Sequence, residues 1–183
     1  MFAVVFVGFP GLGKTVIGRE LVRHLRHATH IKQDDYYLPS GRCDRDGYLH
    51  AIVSSIPHYD YLILEKNHHT TAEREEVLSI LRHNQIPFLI VNLVPSNFLE
   101  QRERREMDPY LDHLLGRILE RSRTGTDSHL ISSSDSEKES RRIRAVLMHG
   151  FLLRYEEPTE PFLRLEEDSI DEKVRRIVEE IPF

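Results

Sequence analysis

The first residues of the chain with types and spacing suited to chemistry are Gly8-Phe-Pro-Gly-Leu-Gly13-Lys14-Thr15, a G-x-x-x-x-G-K-T run between an apolar stretch and a helical pattern. Such a run suits phosphate. Its glycines let successive backbone N–H groups turn toward an anion, and the helix behind adds the positive end of its dipole. The lysine reaches the outer phosphates, and the threonine hydroxyl can ligate magnesium. Gly8, Gly11, Leu12, Gly13, Lys14, Thr15 and Val16 are therefore expected to hold ATP or GTP, with Lys14 also acting on the transferred group.

Ile31-Lys-Gln-Asp34-Asp35-Tyr36-Tyr37 follows a second strand-like segment, which puts an acidic pair at a strand's carboxyl end beside the phosphate loop. An aspartate there can accept the proton of an attacking hydroxyl, the role expected of Asp34, with Asp35 and Tyr36 beside the acceptor. The plain alternative is a pair that caps the next turn. Tyr61-Leu-Ile-Leu-Glu65 is an apolar strand ending in an acid, so Glu65 is expected to support magnesium together with Thr15. The adjacent His68 and His69 suit contact with substrate or solvent better than a structural metal, and His24, His27 and His30 read as surface residues. Arg117 and Arg121 lie one turn apart with Arg123 behind, so one helix face can present two guanidinium groups to a triphosphate. A solvated charged face near Glu120 is the competing reading. Arg102, Arg104 and Arg105, and Arg141, Arg142 and Arg144, suit either a solvated face or the phosphates of a polynucleotide.

The elements that must position these groups follow from periodicity. Phe2 to Gly8 is a short continuous apolar run, the pattern of a strand covered on both faces. Val16, Ile17, Leu21, Val22 and Leu25 then recur at helical spacing. Strands at 29–32, 59–64 and 87–93 alternate with helices at 49–56 and 71–83, which implies right-handed crossovers and a parallel sheet. The expected fold is thus α/β, a phosphate-loop kinase sheet flanked by helices, with all of 1–183 as one domain. Two Arg-rich amphipathic stretches, 99–105 and 111–121, and the serine-rich segment 122–136 suggest a helical, Arg-bearing lid over about 97–135. Further helices are expected at 137–149 and 169–181, the last with Ser169 as N-cap and Glu172 in the capping-box position, and a last strand at 161–166.

Composition narrows the class without naming a partner. With 39% hydrophobic and 30% charged residues over 183 positions, the chain reads as an ordinary globular protein. Phe2 to Val7 is its longest apolar run, too short to span a bilayer, and the single cysteine, Cys43, fits a reducing compartment, so an intracellular protein with no membrane partner is expected. The net charge of −5 requires any nucleic-acid contact to come from a local basic patch.

Taken in order, these motifs resemble the polynucleotide kinase domain of fungal tRNA ligase and, more distantly, phage polynucleotide kinase. His30-Ile-Lys-Gln-Asp34-Asp35 is similar to the family's His-Ile-Gln-Asn-Asp-Asp segment, whose first aspartate is the general base. Leu64-Glu65-Lys66-Asn67-His68-His69 followed by Glu73-Arg74-Glu75 resembles its Asp-Arg-Asn-Asn-His and Arg-Glu-Arg pattern. Gly116 to Arg121 through His129 resembles its lid, and Gly150-Phe-Leu-Leu-Arg154-Tyr155-Glu-Glu-Pro158 its Gly-Phe-Leu-x-Arg-Tyr-x-Pro ending. Glu65 departs from the family's aspartate, and the loop before His129 is longer. The resemblance implies magnesium-dependent transfer of a γ-phosphate from GTP or ATP to the 5′-hydroxyl of RNA, with tRNA exon halves as partners and a place in the cytoplasm or nucleus; the family's kinase is one segment of a chain that also carries a ligase, so the ligase is expected here to be separate or absent. It also implies substrate contacts at Asn67, His69 and His129. Two other readings stand beside it. Gln33-Asp34-Asp35-Tyr36-Tyr37 with Pro39, then Asp46-Gly47-Tyr48-Leu49, also resembles a kinase for nucleosides such as uridine or nicotinamide riboside. A nucleotide-binding switch without transfer is the third.

Overall fold

Six successive apolar residues can all be buried only where both faces of a strand are covered. Phe2–Val7 forms such a strand, β1, and every one of its residues is buried. The structure is a computed structural model and describes residues 1–38, 40, 42–123, 136–166 and 169–182. β1 lies at the centre of a five-stranded sheet with β2 (Ala28–Lys32), β3 (Tyr61–Glu65), β4 (Phe88–Asn92) and β5 (Phe162–Arg164), in the order β2-β3-β1-β4-β5. All four pairings are parallel, and Val4 stands opposite Ile63 on one side and Leu89 on the other.

Helices cover both faces. On one side Val4 and Phe6 pack with Ile17 and Leu21 of α1 (Lys14–His24) and with Val174 and Ile177 of the last helix. On the other, Ala3, Val5 and Val7 meet Tyr48 and Ile52 of α2 (Arg45–Ser55) and Val77, Leu78 and Leu81 of α3 (Thr71–His83). The same core takes Phe98 of α4 (Phe98–Arg104), Leu114 and Ile118 of α5 (Asp108–Arg123), and Ile143 of α6 (Ser136–Val146). Burying one such side chain contributes about 1.5–3 kcal/mol, whereas an exposed ion pair contributes about 0–1 kcal/mol. The two apolar layers, not the many surface Arg–Glu pairs, therefore hold the sheet.

Capping residues set helix starts, at Ser169 as the sequence suggested and at Thr70, which the sequence reading did not single out. Thr70 Oγ1 accepts from the Glu73 N–H, and Ser169 Oγ accepts from the Glu172 N–H at the start of α7 (Ile170–Glu180). The stretch expected as one helix over 137–149 differs: α6 ends at Val146, and the chain continues as a π turn, Leu147–Phe151, and a 3-10 turn, Leu152–Arg154. A π turn inserts an extra residue per turn, and here it lets Leu147 and Leu152, five apart, both enter the core. β2, β3, β1 and β4 all point their carboxyl ends the same way, and the crossover direction reverses around β1, which is where parallel sheets place their ligands.

Candidate active site

Gly8 to Thr15 turns from the end of β1 into α1. Gly13 is the N-cap at φ 85°, a left-handed conformation that a side chain would strain, so glycine is required where the loop becomes helix. Lys14 is buried, and its Nζ donates to the carbonyls of Gly8 and Phe9 and to Asn67 Oδ1, each at 2.9 Å. Asn67 also accepts from the Gly8 N–H through its backbone carbonyl at 2.9 Å. Asn67, expected at the substrate, is thus a strut of the phosphate loop.

The Thr15 hydroxyl donates to Glu65 Oε1 at 2.5 Å, and His30 Nε2 lies 2.7 Å from Glu65 Oε2. Burial alone would push the Glu65 carboxyl up, but the contacts with His30 and Thr15 and the charge of Lys14 outweigh it and hold it below the usual carboxylate range. An ionised carboxylate beside a hydroxyl at a strand end is a hard-oxygen pair that fits magnesium. Among the described residues no cluster of three His, Cys, Asp or Glu side chains forms a cage. A cation here would therefore be held in magnesium's usual manner, by one or two protein oxygens with phosphates and water.

His30 corrects the sequence reading. It was expected at the surface, yet its side chain is 9% exposed, because β3 and α1 close over it. Room for the imidazole comes from Gly18: a Cβ there would stand 2.5 Å from His30 Cε1 and Nε2. A glycine inside a helix costs about 1 kcal/mol against alanine, and that otherwise unfavourable choice was the one sequence signal of a close approach.

Past β2 the chain makes a 3-10 turn, Gln33–Tyr36, which carries Asp34 on its exposed side. The charge of Asp34 reinforces burial in pushing the Tyr37 hydroxyl up. Asp35 is taken up by Lys32 Nζ at 2.8 Å, an ion pair within the turn. The Tyr36 ring meets the buried Tyr48 edge-on at 5.9 Å, and the segment closes by an Asp44 N–H bond to the Tyr36 carbonyl at 2.7 Å.

α5 lies over the phosphate loop. A Cβ on Gly11 would meet Leu114 and Ile118 at 3.5–3.8 Å, and one on Gly13 would stand 3.8 Å from Arg117 Nη2. The structure therefore brings Arg117 to the loop. Arg121 lies one turn further along α5, and its side chain falls outside the described residues, as does His129.

His69 is the second correction. It is 2% exposed, its Nδ1 lies 2.8 Å from Glu73 Oε2, and its ring packs on Phe151 at 5.0 Å, so it is built into the interior and not onto an open surface. His68 is fully buried at φ 47°, its Nδ1 facing the Phe6 carbonyl at 2.7 Å, and burial depresses its imidazole to about 3. Sequence reading put both at substrate or solvent; they are instead packing beneath the sheet end. Arg74, buried beside them, ties the two motifs on which the resemblance leaned. Its guanidinium donates to the carbonyls of His68 at 3.1 Å, Glu156 at 2.8 Å and Glu157 at 3.2 Å. Arg102 holds the Tyr155 carbonyl at 2.7 Å, Asn92 holds the Tyr155 hydroxyl at 2.9 Å, and the Tyr155 ring packs on Phe9 of the phosphate loop at 5.5 Å. The Arg-Tyr ending thus buttresses the loop from below.

No protein-family model matches the sequence, and no curated protein matches it. Solved structures do. A putative kinase from Chloroflexus aurantiacus aligns over 99% of this chain and 98% of its own, with TM-score 0.65 and 16% identity. A fungal RNA kinase aligns over 97% of this chain and 83% of its own, with TM-score 0.58 and 16% identity. The APS kinase of Mycobacterium tuberculosis, in complex with AMPPNP and APS, aligns over 97% and 95%, with TM-score 0.54 and 19% identity. The likeness, with the parallel sheet and the loop described above, establishes the α/β phosphate-loop kinase fold for this chain.

Proposed function

We propose that the protein is a magnesium-dependent polynucleotide kinase that moves the γ-phosphate of ATP or GTP to the 5′-hydroxyl of RNA, in tRNA splicing or repair. The observation that carries this reading is Asp34 on an exposed turn at the carboxyl end of β2, next to the strand whose Glu65 meets Thr15. In this mechanism a triphosphate draws the Lys14 ammonium away from the Gly8 and Phe9 carbonyls, and loop N–H groups cradle the β-phosphate. Asp34 accepts the proton as the 5′-oxygen attacks the γ-phosphorus in line, and the nucleoside diphosphate leaves. Lys14, Arg117 and Arg121 neutralise charge spreading over the transferred group. Thr15 and Glu65 would hold magnesium, which would supply positive charge to offset that of the phosphates.

An RNA end is favoured over a nucleoside because the acceptor side stands open: Asp34, Tyr37, Leu38 and Arg42 are all exposed. Tyr36, the ring best placed in sequence to stack on a nucleobase, is already engaged with Tyr48. 5′-hydroxyl tRNA exon halves are the proposed partners, with a ligase activity consuming the product, in the cytoplasm or nucleus. The test is transfer from labelled ATP or GTP to a 5′-hydroxyl RNA oligonucleotide and, in parallel, to uridine and nicotinamide riboside. Label on the oligonucleotide, abolished by Asp34→Ala, supports the reading; label on a nucleoside alone replaces it with the nucleoside-kinase one.

A further inference from the structure

Glu65 is gripped at both carboxylate oxygens. Oε1 receives the Thr15 hydroxyl at 2.5 Å, and Oε2 faces His30 Nε2 at 2.7 Å. At that distance the ring nitrogen and the carboxylate oxygen are in direct polar contact, with neither open to water. A glutamate side chain has three rotatable bonds, and a single contact to Thr15 would leave its second oxygen free to swing. His30 removes that freedom. Its ring lies between β3 and α1 in space that exists only because residue 18 is glycine. The sequence pattern gave this histidine no partner; the structure brings it to the carboxylate.

We propose that His30 is a positioning residue for the cation site: its Nε2, in contact with Oε2, fixes the rotamer of Glu65 and, through Glu65, the direction of the Thr15 hydroxyl, so that both side chains stand ready for the magnesium of a bound nucleotide. Partners one step removed from a metal commonly set 10- to 100-fold of its affinity by orienting the inner oxygens (about that range). The inference rests on the phosphate loop binding a magnesium nucleotide and is independent of which acceptor the protein phosphorylates.

The experiment is calorimetric ADP binding, in magnesium and in EDTA, for wild type, His30→Gln, His30→Asn and Gly18→Ala. A glutamine amide reaches about where the imidazole Nε2 lies, whereas an asparagine amide reaches only the Nδ1 position. Magnesium should tighten ADP binding in wild type and in His30→Gln. In His30→Asn, and in Gly18→Ala, whose methyl drives the imidazole out, that tightening should fall by at least about 10-fold while affinity in EDTA stays within about twofold. Equal tightening in His30→Gln and His30→Asn would overturn the proposal, as would losses in EDTA as large as those in magnesium, which would reduce His30 to packing. A wild-type chain that binds no ADP sinks this inference together with the phosphate-loop reading, whereas a failed RNA-kinase assay leaves the test standing.

Discussion

At the scale of single residues, the reaction divides into groups that bind and groups that react. Asp34→Ala should leave nucleotide affinity intact and lower transfer by about 10²–10⁴-fold, the usual contribution of a positioned base, as read by single-turnover kinetics against titration with ADP. Arg117→Ala should cost kcat about 10³-fold, and Arg117→Lys should recover only part of it, because an ammonium lacks the guanidinium fork. His68 makes a different prediction, about stability. Its folded-state pKa, depressed to about 3, means that the unfolded chain takes up a proton near 6.5 while the folded chain resists. Stability is therefore lost as pH falls through 6.5 toward 3, by up to about 1.4 kcal/mol per pH unit. Glu73, depressed to about 2 despite partial burial because it faces His69, adds a further loss below about 4.5. Urea melts between pH 7 and 5 should show the His68 slope, and His68→Asn should flatten it. Asparagine tolerates the positive φ and offers an amide N–H to the Phe6 carbonyl without titrating.

At the scale of elements, the clamp under the loop matters more than the surface pairs. Arg74→Ala leaves the carbonyls of His68, Glu156 and Glu157 without their donor, and hydrogen bonds from a charged group are worth about 1.5–3 kcal/mol each. Chemical denaturation should therefore show a loss of at least about 3 kcal/mol. Asp112→Ala, which breaks one exposed contact between α5 and Arg144 of α6, should cost no more than about 1 kcal/mol in the same assay. What could be read in the sequence follows the same division. The phosphate loop, Glu65 at its strand end and the cap at Ser169 are local patterns, and each stands where its spacing put it. His30, His69 and Arg74 were misread or left as bare pattern because their surroundings are built by segments far along the chain: Gly18 and β3 for His30, Phe151 for His69, Glu156 and Glu157 for Arg74. The π turn at Leu147–Phe151 escaped for another reason, since a single insertion leaves no repeat for periodicity to detect.

At the scale of the whole molecule, the net charge of −5 sets the electrostatic terms on which RNA is met. The chain's overall field repels a polyanion, so binding has to come from a few phosphate contacts near the site. Raising KCl should raise the KM for an RNA oligonucleotide, with a log–log slope of about 0.7 per phosphate contacted, while leaving the KM for a nucleoside flat. Among the described residues no helix is long and apolar enough to cross a membrane. The Tyr155 buttress also orders events in time. β1 and the phosphate loop are made before the strands that flank β1, and Phe9 rests on a ring 146 positions downstream (155 − 9). The nucleotide site is thus completed long after its own loop is synthesised, so a nascent chain stalled before Tyr155 emerges should not retain ADP.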